Sequence, residues 1–208
     1  MLKIAPDGYP FIILFAIISV LIYIFARPWL AIFPLIITLF MCFFFRDPDR
    51  NIPTDEGIFV SPADGKVILV RDIYEKDYLK KESKEISIFM SIFDVHVNRS
   101  PCDGKVSFIK HSSGKFFIAH KDIASLKNEN TLMVIEGKYG KILVRQVAGF
   151  IARRIVCRVK IGDEIRRGER YGMIKFGSRL DVYLPKDAKI KVRVGDKVRA
   201  GETILGEI

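Results

Sequence analysis

Two stretches of the chain carry no charge: Phe11 to Phe25 (FIILFAIISVLIYIF) and Trp29 to Phe45 (WLAIFPLIITLFMCFFF), with only Ala26, Arg27 and Pro28 between them. Uncharged runs slightly short of the roughly 20 residues that cross a bilayer predict two apolar helices tied by a tight turn. A cleaved signal peptide has one apolar core followed by small residues. Here the second run ends in Arg46-Asp47-Pro48, so a membrane-anchoring helical hairpin over residues 1–46 is expected instead. Both ends of a hairpin emerge on one side. Lys3, Arg46 and Arg50 lie on that side against Arg27 at the tip, which predicts a cell-membrane protein with residues 47–208 on the cytoplasmic face.

Beyond a polar linker, Asp47 to Glu56, the pattern changes to short apolar and alternating segments typical of strands. Strands are predicted over Ile58 to Val60, Lys66 to Val70, one or two within Ile86 to Val97, and Gly104 to Lys110. Thr131 to Glu136 and Lys141 to Val147 read as a pair turning at Gly137 to Gly140. Val70 to Lys84 is charged and reads as a loop or hairpin tip, and one short helix is expected around Asp122 to Lys127. Near the C-terminus the Gly177-Ser178 pair separates an apolar run (Met173, Ile174, Phe176) from an alternating one (Leu180, Val182, Leu184), which predicts a tight turn between two strands.

The last part of the chain repeats itself. Val159-Lys160-Ile161-Gly162-Asp163-Glu164-Ile165-Arg166-Arg167-Gly168-Glu169 recurs as Val192-Arg193-Val194-Gly195-Asp196-Lys197-Val198-Arg199-Ala200-Gly201-Glu202. Two copies are too few for a solenoid. The pattern resembles the paired turns of lipoyl and biotinyl domains, so the expected fold is mainly β, a β sandwich or barrel with lipoyl-like (barrel-sandwich hybrid) repeats. Gly177-Ser178 then falls at an exposed crossover between the copies. Lys175 is the lysine nearest the place a lipoyl lysine takes, but Gly177-Ser178 occupies the tip.

All but two of the 34 Lys and Arg residues and all but one of the 24 acids lie beyond Phe45. A basic body tethered to a membrane suits anionic lipid headgroups. Nucleic acid is not expected as a partner, because the chain has neither an arginine-rich helix nor an aromatic RNA-binding signature. The three cysteines, Cys42, Cys102 and Cys157, are far apart and lack CxxC spacing, which argues for a reducing compartment. The histidines and carboxylates show no metal-binding spacing, so no metal is expected.

The chemistry with most consequence centres on the Gly177–Ser178 peptide bond. In a strained turn a serine hydroxyl can add to the preceding carbonyl and move the acyl group from nitrogen to oxygen. β-Elimination of that ester and hydrolysis leave a new N-terminal pyruvoyl group. Such a step needs a base. His96, at the end of an apolar strand, with Asp94 or Asp64 to fix its tautomer, is the candidate; His111 and His120 have less support.

Four motifs in order, SPADGKV (Ser61 to Val67), FDVHVNRSPCDG (Phe93 to Gly104), QVAGFIARRI (Gln146 to Ile155) and MIKFGSRLDVYLP (Met173 to Pro185), together with the anchor's end FFFRDPDR (Phe43 to Arg50), resemble the short, prokaryotic branch of the phosphatidylserine decarboxylases. The resemblance spans nearly the whole chain. It implies a proenzyme that cuts itself between Gly177 and Ser178. The large chain (1–177) and the small chain (178–208) would stay together as a heterodimer, with Ser178 converted to pyruvoyl as the cofactor that condenses with the substrate amine. The reaction implied is decarboxylation of phosphatidylserine, or of the archaeal ether-lipid equivalent, to the ethanolamine lipid and CO2. The maturation Asp falls on Asp64, the histidine of the DxH motif on His96, and the cleaved serine on Ser178. Longer members carry a second histidine where this chain has Arg99, and Arg99 and Arg179 are the cations placed to meet substrate phosphate or carboxylate. Two rivals predict an uncut chain: a membrane-tethered lipoyl-like adaptor or carrier without catalysis, and a headgroup hydrolase with Ser178 as nucleophile. Oligomeric state is left open.

Overall fold

A computed structural model describes residues 3–114, 128–149, 154–175 and 178–208 and divides the chain into two units, Met1–Asp49 and Arg50–Ile208. The helix expected at Asp122 to Lys127 and residue Gly177 lie outside the described residues.

The first unit is two helices, α1 (Tyr9–Phe25) and α2 (Ile32–Phe44), joined by a 3-10 turn at Pro28–Ala31. With its preceding turn, α1 forms one apolar element, Pro6–Phe25, of mean hydropathy 2.4, long and apolar enough to cross a membrane; Pro28–Phe44 is shorter. Two of its hydroxyls bond internally: Ser19 Oγ donates to Ala31 O at 3.0 Å and Thr38 Oγ1 to Pro34 O at 2.9 Å. The two ends meet. Ile4 bridges Arg46, Ala5 N donates to Phe45 O at 2.8 Å, and the Phe11 and Phe45 rings stack with centroids 5.6 Å apart.

The second unit is mainly β. Its strands are β1 (Ile58–Val60), β2 (Gly65–Glu75), β3 (Lys81–Met90), β4 (Val97–Arg99), β5 (Gly104–Ser112), β6 (Asn130–Gly137), β7 (Gly140–Ala148), β8 (Ile155–Cys157), β9 (Glu164–Ile165), β10 (Arg170–Ile174), β11 (Ser178–Pro185), β12 (Lys189–Ile190), β13 (Lys197–Val198) and β14 (Ile204–Glu207). They form an antiparallel eight-stranded sheet, β13-β2-β3-β11-β7-β6-β5-β9, and two three-stranded sheets, β1-β14-β12 and β4-β10-β8. Core-facing residues of the large sheet (Ile86, Ile88, Val144, Leu180, Val182, Leu184) bury against Phe59, Tyr171, Ile174 and Leu205 of the small ones.

The charged segment Val70 to Lys84, expected as a loop or hairpin tip, is the far end of a β2–β3 hairpin whose strands run longer than expected. Its charges pair across the strands, Arg71 with Glu85 at 2.6 Å and Lys84 with Asp72 at 3.9 Å, and the Glu75 carboxylate accepts from Tyr78 N and Leu79 N in the turn. A second expectation also changes. β10 and β11 do not pair with each other: β10 belongs to a small sheet and β11 to the middle of the large one. Residue 178 therefore lies where the chain passes between layers, and it is fully buried, not exposed at a hairpin tip.

The sheet order is palindromic about the β11–β7 pair, and the register shows why. Lys197 and Val198 pair Lys66 and Gly65 as Glu164 and Ile165 pair Lys105 and Gly104, and the β2 bulge at Val67/Leu69 matches the β5 bulge at Val106/Phe108. The repeated turns share their bonds. Gly162 N donates to Val106 O and Gly195 N to Val67 O, both at 2.8 Å, with φ of +100° and +105° that favour glycine. The sequence carries a matching echo that the strand pattern hides: Ser61-Pro62-Ala63-Asp64-Gly65 against Ser100-Pro101-Cys102-Asp103-Gly104. Ser61 Oγ bonds Ala63 O and Ser100 Oγ bonds Cys102 O, each at 2.7 Å, and Asp64 and Asp103 accept the main-chain N–H of Ala200 and Arg167. The second unit is an internal duplication with two equivalent poles.

Candidate active site at the head of the central strand

Ser178 opens β11 between Met90, the last residue of β3, and Ala148, the last of β7. Side chains alternate along a strand. Leu180, Val182 and Leu184 face the core, so Ser178 does too, and its Oγ donates to Met90 Sδ at 3.3 Å. Arg179, Asp181 and Tyr183 point to the other face. There Arg179 Nε donates to Asp181 Oδ1 at 2.6 Å and its terminal nitrogen to Ser87 Oγ at 2.8 Å, with Glu85 at 3.9 Å, and Tyr183 donates to Glu85 at 2.9 Å. Burial and the neighbouring Asp181 charge push the Tyr183 hydroxyl far above its usual range. Consecutive in sequence, Ser178 and Arg179 serve opposite faces of the sheet.

His96 immediately precedes β4, is fully buried, and accepts from Ile174 N at 3.4 Å through its carbonyl. This puts it beside the strand end that leads toward Ser178. Its Nδ1 lies 2.9 Å from the Asp94 main-chain oxygen. A carbonyl only accepts, so Nδ1 carries the proton and the neutral ring has its basic lone pair on Nε2. At Nδ1 the partner is thus the main-chain carbonyl of Asp94 and not its carboxylate. Asp94's carboxylate is engaged in its own turn, accepting from Ser91 N at 2.8 Å.

Asp64 stands at the same end of the large sheet, just before the row Lys66–Phe89–Arg179. Both its oxygens accept from Arg50, at 2.9 and 2.8 Å, and Oδ1 also from Ala200 N at 2.8 Å. Burial nevertheless raises its carboxyl above the ordinary aspartate range, opposed by the Ala200 bond and Arg50 and reinforced by the charge of Asp94. Arg99 is buried on β4 and donates to Gly168 O at 2.9 Å, in one of the two repeated turns. His111 lies on β5 against Thr131 Oγ1 at 2.9 Å, and His120 is outside the described residues.

The strand pattern alone missed a polar chain behind Ser178. Val156 O accepts from Gln146 Nε2 at 3.4 Å, the same nitrogen donates to Asn98 Oδ1 at 2.9 Å, and Asn98 Nδ2 reaches Met90 Sδ at 3.8 Å. All three side chains are buried. Gly172 makes the room: a Cβ there would lie 3.0 Å from Gln146 Nε2 and collide with the Val156 carbonyl. The signal available in the sequence was Gln146 itself, an uncharged polar residue in register with the core-facing Ile142, Val144 and Ala148. Asn128, whose Nδ2 donates to Ala148 O at 2.7 Å, and Arg50 were also overlooked.

Comparison with known proteins identifies the family. Residues 37–206 match the family model described as phosphatidylserine decarboxylase, and the chain belongs to that family. It is 49% identical to the phosphatidylserine decarboxylase proenzyme of Syntrophus aciditrophicus over 98% of this chain and 96% of that one. It is 51% identical to that of Geotalea uraniireducens (98% and 95%) and 49% identical to that of Geobacter metallireducens (98% and 95%). Membership in an enzyme family decides against the adaptor reading.

Proposed function

We propose that this chain is a self-processing proenzyme that decarboxylates phosphatidylserine, and that Ser178 is the residue at which it cuts itself. The observation that carries the reading is a fully buried serine hydroxyl at the head of the central strand, set on a thioether rather than on a strong acceptor. Family membership and relatives named as proenzymes support it. His96 Nε2 takes the Ser178 Oγ proton, and Oγ adds to the Gly177 carbonyl carbon. The acyl group passes to oxygen while the nitrogen takes a proton. Loss of the Ser178 Hα breaks the Cβ–Oγ bond and frees the Gly177 carboxylate; water then replaces the nitrogen of the unsaturated residue, releasing ammonia. Met1–Gly177 and Ser178–Ile208 remain associated because β11 pairs β3 and β7 of the larger piece.

The surroundings of residue 178 fit a pyruvoyl group. The Met90 thioether suits its apolar end, and buried Gln146 Oε1, without a hydrogen-bond partner among the described residues, marks an unfilled polar position nearby. Once formed, the group supplies an electrophilic carbonyl for the substrate amine and an electron sink for loss of CO2. His96 then moves the proton that replaces the carboxylate. Asp64, clamped by Arg50, holds the Ala200 turn and the local charge during maturation. Arg99 supplies positive potential to the phosphate and carboxylate from a buried position, while Arg179, also expected to meet the substrate, is engaged with Asp181 and Ser87 on the other face and holds the strand instead. The helical unit anchors the enzyme in the membrane with the catalytic unit on the cytoplasmic face, so that the lipid's acyl chains stay in the bilayer.

Intact mass spectrometry of the purified chain tests this. The expected result is two fragments, the smaller beginning at residue 178 with a carbonyl-reactive, blocked N-terminus, and a single 23.8 kDa chain for Ser178→Ala. An active enzyme that remains one uncut chain overturns it.

A further inference from the structure

The two poles of the duplicated unit provide an internal control for the site. By strand register, Ser178 opposite Met90 corresponds to Gly140 opposite Gly137. Asn98, opposite Gly172, corresponds to Phe59, opposite Gly206. Gln146, lying over Gly172 beside Val156 O, corresponds to Leu184, lying over Gly206 beside Lys189 O. At the second pole Phe59 and Leu184 are apolar and belong to the core. The architecture therefore accommodates hydrocarbon where the Ser178 pole buries two amides, and burying amides carries a desolvation cost that the fold does not require.

The polarity of those amides is set from one end. Val156 O can only accept, so the Gln146 atom facing it is the NH2 group. That group also meets Asn98, so Asn98 turns its oxygen to Gln146 and its own NH2 toward Met90. The Met90 sulfur receives both Asn98 Nδ2 and Ser178 Oγ. A thioether is a weak acceptor, so a buried donor and the nucleophile share a partner that satisfies neither fully.

We propose that Asn98 is a catalytic hydrogen-bond donor to Ser178 Oγ during self-cleavage, and that Gln146 is the positioning residue that keeps the donor side of Asn98 toward the serine. When the base removes the hydroxyl proton, Oγ stops donating to sulfur and accepts from Asn98 Nδ2 as it attacks the Gly177 carbonyl carbon. In the elimination the same Oγ leaves Cβ as one oxygen of the Gly177 carboxylate, carrying charge again, and the same donor meets it. The proposal rests on the reading of Ser178 as the cleaved serine.

The test uses full-length chains made by cell-free synthesis with phosphatidylcholine vesicles, following first-order cleavage by intact mass. Melting temperature is measured on each variant in a Ser178→Ala background. Asn98→Ala is expected to slow cleavage by about 10²-fold, the loss found when one preorganised donor to a developing oxyanion is removed. Gln146→Leu is expected to slow it too. The double variant Asn98→Leu/Gln146→Leu, which gives this pole the apolar character of the other, is expected to melt near the parent and cleave no faster than Asn98→Ala, a non-additive pair. A folded double variant that cleaves within about threefold of the parent overturns the proposal. So does a double variant that melts far below the parent, because the amides would then serve the fold. If the parent itself never cleaves, it is the assignment of Ser178 that fails.

Discussion

Ser178 and Gly140 occupy equivalent places in the two halves of the large sheet, each opening a central strand opposite the last residue of its neighbour, Met90 or Gly137. The same correspondence sets His96 against Gly57. One pole holds Ser178 and His96, the proposed nucleophile and base. The other has glycine at both positions and a cavity of about 250 Å3 bordered by Gly57, Cys102, Asp103, Gly137 and Gly140.

The Arg50–Asp64 pair makes a stability prediction. Both side chains are largely buried, so Arg50→Ala leaves a carboxylate without its cation, and a loss of about 3 kcal/mol is expected by urea denaturation in a Ser178→Ala background. Conservation of stability within about 0.5 kcal/mol would show the pair to be incidental.

Asp64 also predicts a pH dependence. Burial raises its folded carboxyl above the unfolded value, so the folded state holds that proton more tightly. The corresponding stability is fully present below the unfolded value and is lost as pH rises through the folded one. Relative to Asp64→Asn, the parent should therefore gain stability as pH falls from neutrality through this acid window. A difference that stays flat or shrinks on acidification contradicts the assignment.

Arg179 cannot be replaced by lysine without loss. Its guanidinium spans Asp181 and Ser87 with two different nitrogens, which a single ammonium does not reproduce. Arg179→Lys is expected to lower the melting temperature of the Ser178→Ala precursor by several degrees, on the order of 1–3 kcal/mol. Because Arg179 lies on the face away from Ser178, the residual folded enzyme should keep its KM for lipid while losing kcat through slower maturation.

Cys102 is buried, and desolvation with the adjacent Asp103 charge raises its thiol to about 12. Native protein at pH 8 should leave Cys102 unlabelled by a thiol-disulfide reagent until it is unfolded. Prompt labelling of Cys102 would mean that the second pole opens readily.

How much of this the chain reveals unaided depends on the distance over which each feature is written. The two apolar runs, the strands around Gly137 to Gly140 and the repeated Gly-Asp turns follow from local pattern, because burial and turn geometry act on neighbouring residues. The charged segment reads as a loop or hairpin tip, and the length of the β2–β3 hairpin stays hidden because its charges are neutralised across strands rather than along one. His96 and Ser178 were visible as residue types. Their companions were not: Gln146 and Asn98 are polar residues whose meaning emerges only once β7 and β4 are packed against each other.

The order of residues by itself therefore determined the apolar and β segments, the turns and the chemical candidates, all consequences of short-range periodicity and backbone preference. Tertiary structure alone decided that Ser178 is buried on a sulfur, that Arg179 turns away from it, that the Asp94 carbonyl meets His96 Nδ1, and that the places of Asn98 and Gln146 are taken by Phe59 and Leu184 at the other pole. Those outcomes depend on antiparallel register between strands distant in sequence, where a shift of one position would send every side chain to the opposite face.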